Sequence, residues 1–428
     1  MDSCKSHFNI VSLLINQYQL LKKICFIEIS QLISLEKRIL ISLFVLTECI
    51  EKNESEPDSY IDTFIYLARR LLSNDSEMQE FACQSACQWL NEKGLIENDN
   101  KCAKAAYDII CLFPSQQMQY QLGLTYKNFV NLRACIFSIW IKQSNAIDDT
   151  IFQNAEVRQH DSALESEVVS YKTHFKLKSN SVLLESYASS DVKRIIEHDY
   201  AVFNENEKQC FKDILWQCLQ LKFKSGFDVL ESLLKEQKLD KGLLRMASLT
   251  GDNRYLPYIA DYSVLDPDVG YYFLSLLGTY AAANIILQGL SNMRNIDSGS
   301  QAWFLLTGMK IPLKPRLSLA NEEVRQCIPG NQSPDINEIE QWWLNNNNFL
   351  KKDKRWLNGK PHCLNEIIIA LQKYAGRYGH DLVCLYKLET QDDSFCDIED
   401  GWFTNKLSQY VKLYDYAESL SKPHARNI

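Results

Sequence analysis

Two adjacent histidine and aspartate pairs are the first residues of the chain whose types could do chemistry. His160-Asp161 and His198-Asp199 each combine a general base with a carboxylate that could orient it. Neighbouring residues point in different directions on a helix, however, so they rarely form a proton relay. We therefore interpret both pairs as surface polar residues and predict no catalytic residue there.

Cysteines are the second group of residues whose side chains could react or bind a metal. Cys83 and Cys87 are four residues apart and share a helix face, which could hold a metal, but no histidine lies near them in the sequence. The fourteen cysteines form no CxxC pair, and several lie in apolar helical runs, where a thiol packs as a small hydrophobic group. This usage predicts reduced thiols, a cytoplasmic location, and no metal or cofactor.

Signature motifs of the common enzyme classes are absent from the sequence. The chain has no GxSxG hydrolase elbow, no HExxH metalloprotease helix, no P-loop and no GxGxxG dinucleotide-binding turn. Without such a motif, the sequence favours a non-enzymatic protein.

Aromatic residues are the candidates for contact with a protein partner. Trp342 and Trp343 are adjacent, so both cannot face the interior of one helix. We expect one ring to pack and the other to anchor a partner, unless the preceding proline-rich segment clamps both. Tyr255, Tyr258 and Tyr271 belong to a tyrosine-rich stretch that could form a recognition ridge, although part of that stretch must be core.

The elements that position these tyrosines repeat along the chain. Gly251, Gly278 and Gly308 each follow an apolar helix end, with intervals of 27 and then 30 residues. Glycine adopts the left-handed conformation after a helix without steric cost, so each glycine predicts a helix end. In the clearest unit, residues 241–249 and 255–262 are predicted to form a helix pair.

Such helix pairs are too short to bury their own apolar faces, so they stack on their neighbours. Upstream, residues 209–223 and 227–235, separated by Gly226, form a further unit with less regular spacing. The sequence therefore predicts an all-α, HEAT-like α-solenoid with repeats of about 27–30 residues. The alternative is an irregular helical bundle that happens to repeat.

Four regions are predicted along the chain. Residues 1–175 are predicted to form amphipathic helices whose breaks are not regularly spaced, and residues 176–310 are predicted to hold the repeats. Residues 311–335 contain four of the ten prolines and are predicted to be a linker. Residues 336–428 are predicted to form a C-terminal helical module.

Composition narrows the classes of partner. The formal charge of -8 argues against nucleic acid, because neutralising phosphates needs a surplus of Lys and Arg. The longest apolar run, residues 39–50, includes Ser42, Thr47 and Glu48 and is too short to cross a bilayer. The N-terminus has no apolar stretch typical of a secretory signal. We therefore expect no membrane insertion and no nucleic-acid partner.

Several segments, taken in order, carry a resemblance to a known family. They are Leu35-Glu-Lys-Arg-Ile39, Leu249-Thr-Gly-Asp252 followed by Leu256-Pro257, Phe304-Leu-Leu-Thr-Gly308, Trp342-Trp343, Arg355-Trp-Leu357 and Gly359-Lys-Pro361. The chain resembles a family of uncharacterised HEAT-like proteins of proteobacteria, often encoded beside components of the type VI secretion spike. It departs from that family in being rich in Lys, Ser and Asn rather than in Ala and Arg. The resemblance implies a protein partner, such as a secretion spike or effector, and it supplies no catalytic residues.

Three functions stay open at this point. The first is a protein-binding scaffold or adaptor, accessory to type VI secretion if the resemblance holds. The second is a HEAT-fold nucleic-acid-binding enzyme such as a DNA glycosylase, which would need a basic concave groove that the acidic balance disfavours. The third is a secreted toxin whose active part lies in the C-terminal region.

Overall fold

A computed structural model describes eight stretches of the chain. They are residues 2–48, 59–92, 101–129 except 114, 205–236, 239–292, 295–315, 332–346 and 354–390, with single residues near 50, 57, 132–139 and 403–411. These stretches are mostly helical, with sixteen α-helices and three two-stranded sheets, so the predicted all-α class is confirmed.

The described residues contain sixteen α-helices, numbered here in chain order. They are α1 (Asp2–Lys22), α2 (Ile29–Thr47), α3 (Tyr60–Leu71), α4 (Ser76–Glu92), α5 (Lys101–Leu112), α6 (Gln116–Asn128), α7 (Glu205–Gln220), α8 (Lys224–Glu236), α9 (Lys241–Thr250), α10 (Leu256–Leu265), α11 (Pro267–Leu277), α12 (Tyr280–Leu290), α13 (Ile296–Thr307), α14 (Ile336–Asn346), α15 (Leu364–Lys373) and α16 (Gly376–Thr390).

The strands are short and antiparallel. β1 (Ile27–Glu28) pairs with β6 (Tyr374–Ala375), β2 (Leu313–Pro315) with β3 (Gln332–Pro334), and β4 (Trp356–Leu357) with β5 (Lys360–Pro361). In the last pair Trp356 lies opposite Pro361, and the turn holds Asn358 and Gly359, both with positive φ.

The chain divides into two compact units. Unit 1 comprises Met1–Ser179, Ile369–Val383 and Asp393–Ile428, and unit 2 comprises Asn180–Ile368 and Cys384–Asp392. The four-region division made from the sequence stays a prediction.

Unit 1 is built around helices α1 to α6. The buried residues of α2 include Leu32, Ile39 and Leu43, whose spacing places them on one helix face. Ser59 begins α3 and Ser115 begins α6, each by accepting a hydrogen bond from a backbone N–H three residues later. These caps satisfy N–H groups that have no partner inside the helix.

A buried carboxylate ties three segments of unit 1 together. Glu36 in α2 is fully buried, and it accepts hydrogen bonds from the Tyr18 hydroxyl at 2.6 Å and from the Phe403 backbone N–H at 2.5 Å. Burial, together with the charge of Glu36, raises the pKa of Tyr18. The phenol therefore stays protonated and keeps donating to the carboxylate.

Unit 2 has its core along helices α9 to α13. Trp303, Tyr255 and Phe273 are its largest fully buried side chains. In α11, a Cβ on Gly270 would lie 2.2 Å from the Ser263 Cα, so glycine permits close packing of α11 on α10. Asp266 begins α11 by accepting a hydrogen bond from the Val269 N–H.

The three glycines predicted to end helices do so. Gly251, Gly278 and Gly308 have φ of 72°, 68° and 70° and follow α9, α11 and α13 directly. The prediction from their spacing is confirmed, because an αL residue after a helix is the usual stop signal.

The break predicted at Gly226 is wrong. Gly226 lies inside α8, where a Cβ would lie 2.9 Å from the Cβ of Cys218 in α7. The turn instead centres on Lys222, which has φ of 57°, and the Phe223 N–H closes it by donating to the Cys218 carbonyl at 3.0 Å. Gly226 serves close packing between two helices, and a lysine takes the left-handed position that glycine usually occupies.

Candidate functional site

The histidine–aspartate pairs and the cysteines singled out in the sequence do not form a reactive centre in the described part of the chain. His160, Asp161, His198 and Asp199 lie outside it. Cys83 and Cys87 are buried, and burial raises the pKa of each thiol to about 11. Both thiols therefore stay protonated near neutral pH and pack as interior groups. Within the described residues, no group of three or more His, Cys, Asp and Glu could hold a metal ion.

The two adjacent tryptophans have different surroundings. Trp343 is 4% exposed, its indole N–H donates to the Asn284 Oδ1 at 3.0 Å, and its ring stacks on Tyr280 at 5.2 Å. Trp342 is partly exposed and meets the edge of the buried Trp303 ring at 6.0 Å. Of the pair, Trp342 is therefore the ring with a face toward solvent.

The candidate tyrosines divide in the same way. Tyr255 is fully buried and its hydroxyl donates to the Phe227 carbonyl at 2.8 Å. Tyr271 is 5% exposed and its hydroxyl accepts from the Asn295 amide at 3.1 Å. Tyr258 is half-buried on α10. Tyr255 and Tyr271 are interior side chains, so neither contacts a partner without a rearrangement.

Four helix ends in unit 2 form a series that we call the helix-end row. It consists of the left-handed residues Lys222, Gly251, Gly278 and Gly308, which follow α7, α9, α11 and α13 at intervals of 29, 27 and 30 residues. The last carbonyls of a helix have no partner inside it and carry a partial negative charge. Each end of the row therefore needs donors or cations from elsewhere.

One hairpin supplies donors to three of the four ends. This capping hairpin is the segment Arg355–Pro361, which contains β4 and β5. The Trp356 N–H donates to the Gly278 carbonyl at 2.8 Å, and the N–H groups of Asn358 and Gly359 donate to Leu305 and Leu306 at 2.9 Å each.

Arg355 caps two helix ends with its side chain. Its Nη1 donates to the Leu249 carbonyl at 2.8 Å, and its Nη2 donates to the carbonyls of Ser248 at 3.2 Å and Leu276 at 2.6 Å. A guanidinium is suited to this position because it is planar, always charged and rich in donors. The charge also complements the negative ends of α9 and α11.

The approach of the hairpin requires glycine at the helix ends. A Cβ on Gly251 would lie 2.8 Å from the Arg355 Cδ, one on Gly278 2.6 Å from the Trp356 oxygen, and one on Gly308 2.7 Å from the Asn358 oxygen. The repeated glycines are thus needed for two reasons, the left-handed φ and the proximity of the hairpin.

A cavity of about 410 Å³ is lined by residues at the end of α7, which the hairpin does not cap, and at the end of α9, which Arg355 caps. Its apolar lining comes from Leu219, Phe227, Leu249 and Leu388, and Lys222 lines it from the end of α7. The volume lies within the range of small-molecule sites in proteins.

Charged groups of both signs line the same cavity. Arg254 is paired with Asp252, Nε to Oδ2 at 2.8 Å, and with Asp228, Nη1 to Oδ1 at 3.3 Å. Glu389 has an oxygen 3.5 Å from the Nδ1 of His362. Burial, and then the charge of Arg355, lower the pKa of His362 to about 3, so the imidazole is neutral at pH 7. It therefore leaves the negative charge of Glu389 unbalanced.

His362 should make the stability of unit 2 depend on pH. Its folded pKa lies below the usual value near 6.5, so the unfolded chain binds the extra proton between about pH 6.5 and pH 3. The contribution of His362 to the free energy of unfolding is fully present above that window. It falls as the pH drops through the window, by up to about 1.4 kcal/mol per pH unit.

We therefore expect His362→Asn to reduce the loss of stability between about pH 7 and about pH 5. Urea unfolding followed by circular dichroism at both pH values measures this loss for each protein. An unchanged difference between the two midpoints in the variant would contradict the assignment to His362.

Sequence reasoning missed the polar residues that line the cavity. Lys222 and Glu389 belong to no motif, and Arg355 stands out in the sequence only as part of the segment Arg355-Trp-Leu357. A signal for Lys222 was present, because it precedes Gly251 by 29 residues and so continues the period of the glycines. Nothing in the local sequence brings Glu389 to this cavity.

Comparisons with protein-family models, with curated proteins and with solved structures found no match to this chain. The described part contains no helix long and apolar enough to cross a membrane.

Proposed function

We propose that this chain is a non-enzymatic, cytoplasmic protein-binding scaffold or adaptor whose unit 2 is a HEAT-like solenoid. The observation that carries the proposal is the apolar outer side of α10. The resemblance in the sequence suggests a secretion spike or effector protein as the partner, and an accessory role in type VI secretion.

The helix-end row supports the solenoid. Four helices of unit 2 end in the same left-handed conformation at nearly constant intervals, and one hairpin runs along three of these ends. Stacked helix pairs place equivalent ends side by side in this way. Such stacks offer extended surfaces that bind other proteins.

The outer side of α10 supports the binding of a partner. Val264 is 81% exposed and Leu265 is 67% exposed, with the half-buried Tyr258 at the edge of the same side. We call these three residues the α10 surface. Single exposed apolar residues are common, but adjacent ones form a contiguous apolar patch of the kind that marks an interaction site. Trp342 and Leu344, 68% exposed on α14, provide a second candidate contact.

A cross-linked pulldown of the tagged protein from its own cells tests the proposal. We expect the wild-type protein to recover a spike or effector protein, identified by mass spectrometry. The double variant Val264→Asp and Leu265→Asp should recover at least about tenfold less of the partner than the wild type does. The reason is that a buried carboxylate at an interface costs at least about 1.4 kcal/mol.

Leu239→Asp is the matched control, because Leu239 is also an exposed leucine of unit 2, at 63%, and lies outside the α10 surface. Trp342→Ala tests the second contact in the same experiment. Equal recovery by the double variant and the control would rule out the α10 surface. Recovery of nucleic acid without a protein partner would favour the glycosylase alternative over the scaffold.

A further inference from the structure

The cavity at the end of α7 is lined by apolar side chains and by five charged ones, among them Lys222 and Glu389. Within the described residues, Lys222 has no carboxylate partner within ion-pair distance, and Glu389 has only the neutral His362. The lining has two other cations. Arg254 is balanced by Asp252 and Asp228, and the Arg355 guanidinium donates to the carbonyls at the ends of α9 and α11. A ligand that carries one positive and one negative group would complement this arrangement.

We propose that this cavity binds a free α-amino acid with an apolar side chain. Its carboxylate would bind the Lys222 ammonium, and its ammonium group would bind the Glu389 carboxylate. The hydrocarbon side chain would lie on the floor formed by Leu219, Phe227, Leu249 and Leu388. The volume of about 410 Å³ is sufficient for a ligand of this size.

The backbone at Lys222 supports the proposal independently. A residue with a side chain pays about 1–2 kcal/mol to adopt the left-handed conformation, and the other three members of the helix-end row are glycines. At those three ends a side chain would strike the capping hairpin, whereas at Lys222 it extends into the cavity lining. Strain of this kind at a cavity is typical of a functional position.

A buried histidine lies next to the acidic side of the cavity. The His362 side chain is 6% exposed and its backbone N–H donates to the Arg355 carbonyl at 2.8 Å. The neutral imidazole lies 3.5 Å from Glu389, whose side chain is 38% exposed, and it does not neutralise the carboxylate, so the charge stays available for a ligand. This inference does not depend on the α10 surface, because the two sites share no residue.

Calorimetric titration of the full-length protein tests the ligand class. The probes are L-leucine, L-methionine and L-phenylalanine. Two analogues each lack one charged group: N-acetyl-L-leucine lacks the ammonium, and L-leucinamide lacks the carboxylate. We expect saturable binding of at least one free amino acid, and binding of both leucine analogues weaker than that of leucine by about tenfold or more. No binding by any of the three amino acids, or equal binding of the analogues, would overturn the proposal.

The variant Lys222→Gly separates ligand binding from folding. Glycine relieves the left-handed strain, so we expect this variant to unfold at a higher urea concentration than the wild type. Its affinity for the free amino acid should nevertheless fall by about tenfold or more, since the ammonium is gone. A Lys222→Gly protein that binds like the wild type would overturn the assignment of the carboxylate site.

A second variant tests the opposite end of the ligand. Glu389→Gln should bind L-leucine and N-acetyl-L-leucine with similar, weak affinity, because the group that distinguishes them is lost. Lys224→Met and Glu231→Gln are charge-matched controls, since both residues lie on α8 outside the cavity lining. These controls should bind like the wild type, and a loss of affinity in them would count against the site.

Discussion

Replacing Arg355 by alanine is expected to lower the free energy of unfolding of unit 2 by about 3–5 kcal/mol. The guanidinium makes three hydrogen bonds of 2.6–3.2 Å to carbonyls at the ends of α9 and α11. A charged hydrogen bond contributes about 1.5–3 kcal/mol, and its removal leaves carbonyls that lack their donor. The three contributions are not additive, so the estimate lies below their sum.

Urea unfolding followed by circular dichroism measures this loss. Arg254→Ala is the matched control, because Arg254 is also an arginine of unit 2 with two ion pairs, but its side chain is 37% exposed. Exposed ion pairs contribute at most about 1 kcal/mol, so the control should change stability little. Arg355→Lys should fall between the two, since an ammonium keeps the charge but loses the fork of donors. A similar loss in both alanine variants would show that Arg355 does not anchor the helix ends.

The second large effect is expected for Gly278→Ala, at about 2–4 kcal/mol of destabilisation. Alanine at a φ of 68° costs about 1–2 kcal/mol from backbone strain alone. Its Cβ would also lie 2.6 Å from the Trp356 carbonyl oxygen, so the capping hairpin would have to move. That movement would weaken the hydrogen bond from the Trp356 N–H to the Gly278 carbonyl.

Gly123→Ala provides a control of the opposite sign. Gly123 lies inside α6, and a Cβ there would have nothing within 4 Å. Alanine in a helix interior is favoured over glycine by about 0.5–1 kcal/mol, so this variant should be more stable than the wild type. The same urea titration measures both variants. A Gly278→Ala protein as stable as the wild type would mean that the hairpin does not hold its close approach in solution.

Local sequence signals predicted the features that depend on a few neighbouring residues. Gly251, Gly278 and Gly308 identified three helix ends correctly, because the left-handed conformation is a property of the residue itself. Asp266, an N-cap residue of the preferred type, begins α11 by the same kind of local chemistry. For the tryptophan pair, adjacency on a helix indicated different surroundings for the two rings but left open whether the proline-rich segment clamps both.

Features that depend on distant residues could not be predicted. The error at Gly226 arose because a glycine that permits close packing and a glycine that ends a helix look alike in sequence. The role of Arg355 depends on backbone carbonyls about 80 to 107 positions earlier in the chain. Every residue has such a carbonyl, so the sequence does not show which ones Arg355 will bind. Burial of Tyr255 and Tyr271 likewise follows from tertiary packing, which the tyrosine spacing does not reveal.

The capping hairpin has a consequence for how the chain is made. In a simple repeat stack each repeat depends only on its neighbours, so it can fold as soon as it leaves the ribosome. Here the donors for the ends of α9, α11 and α13 are translated after all three helices, in the segment Arg355–Pro361. The ends of α9, α11 and α13 therefore lack these donors until this segment has been made. Folding should gain cooperativity in this way, and a chain cut before this segment would keep α9, α11 and α13 but none of these caps.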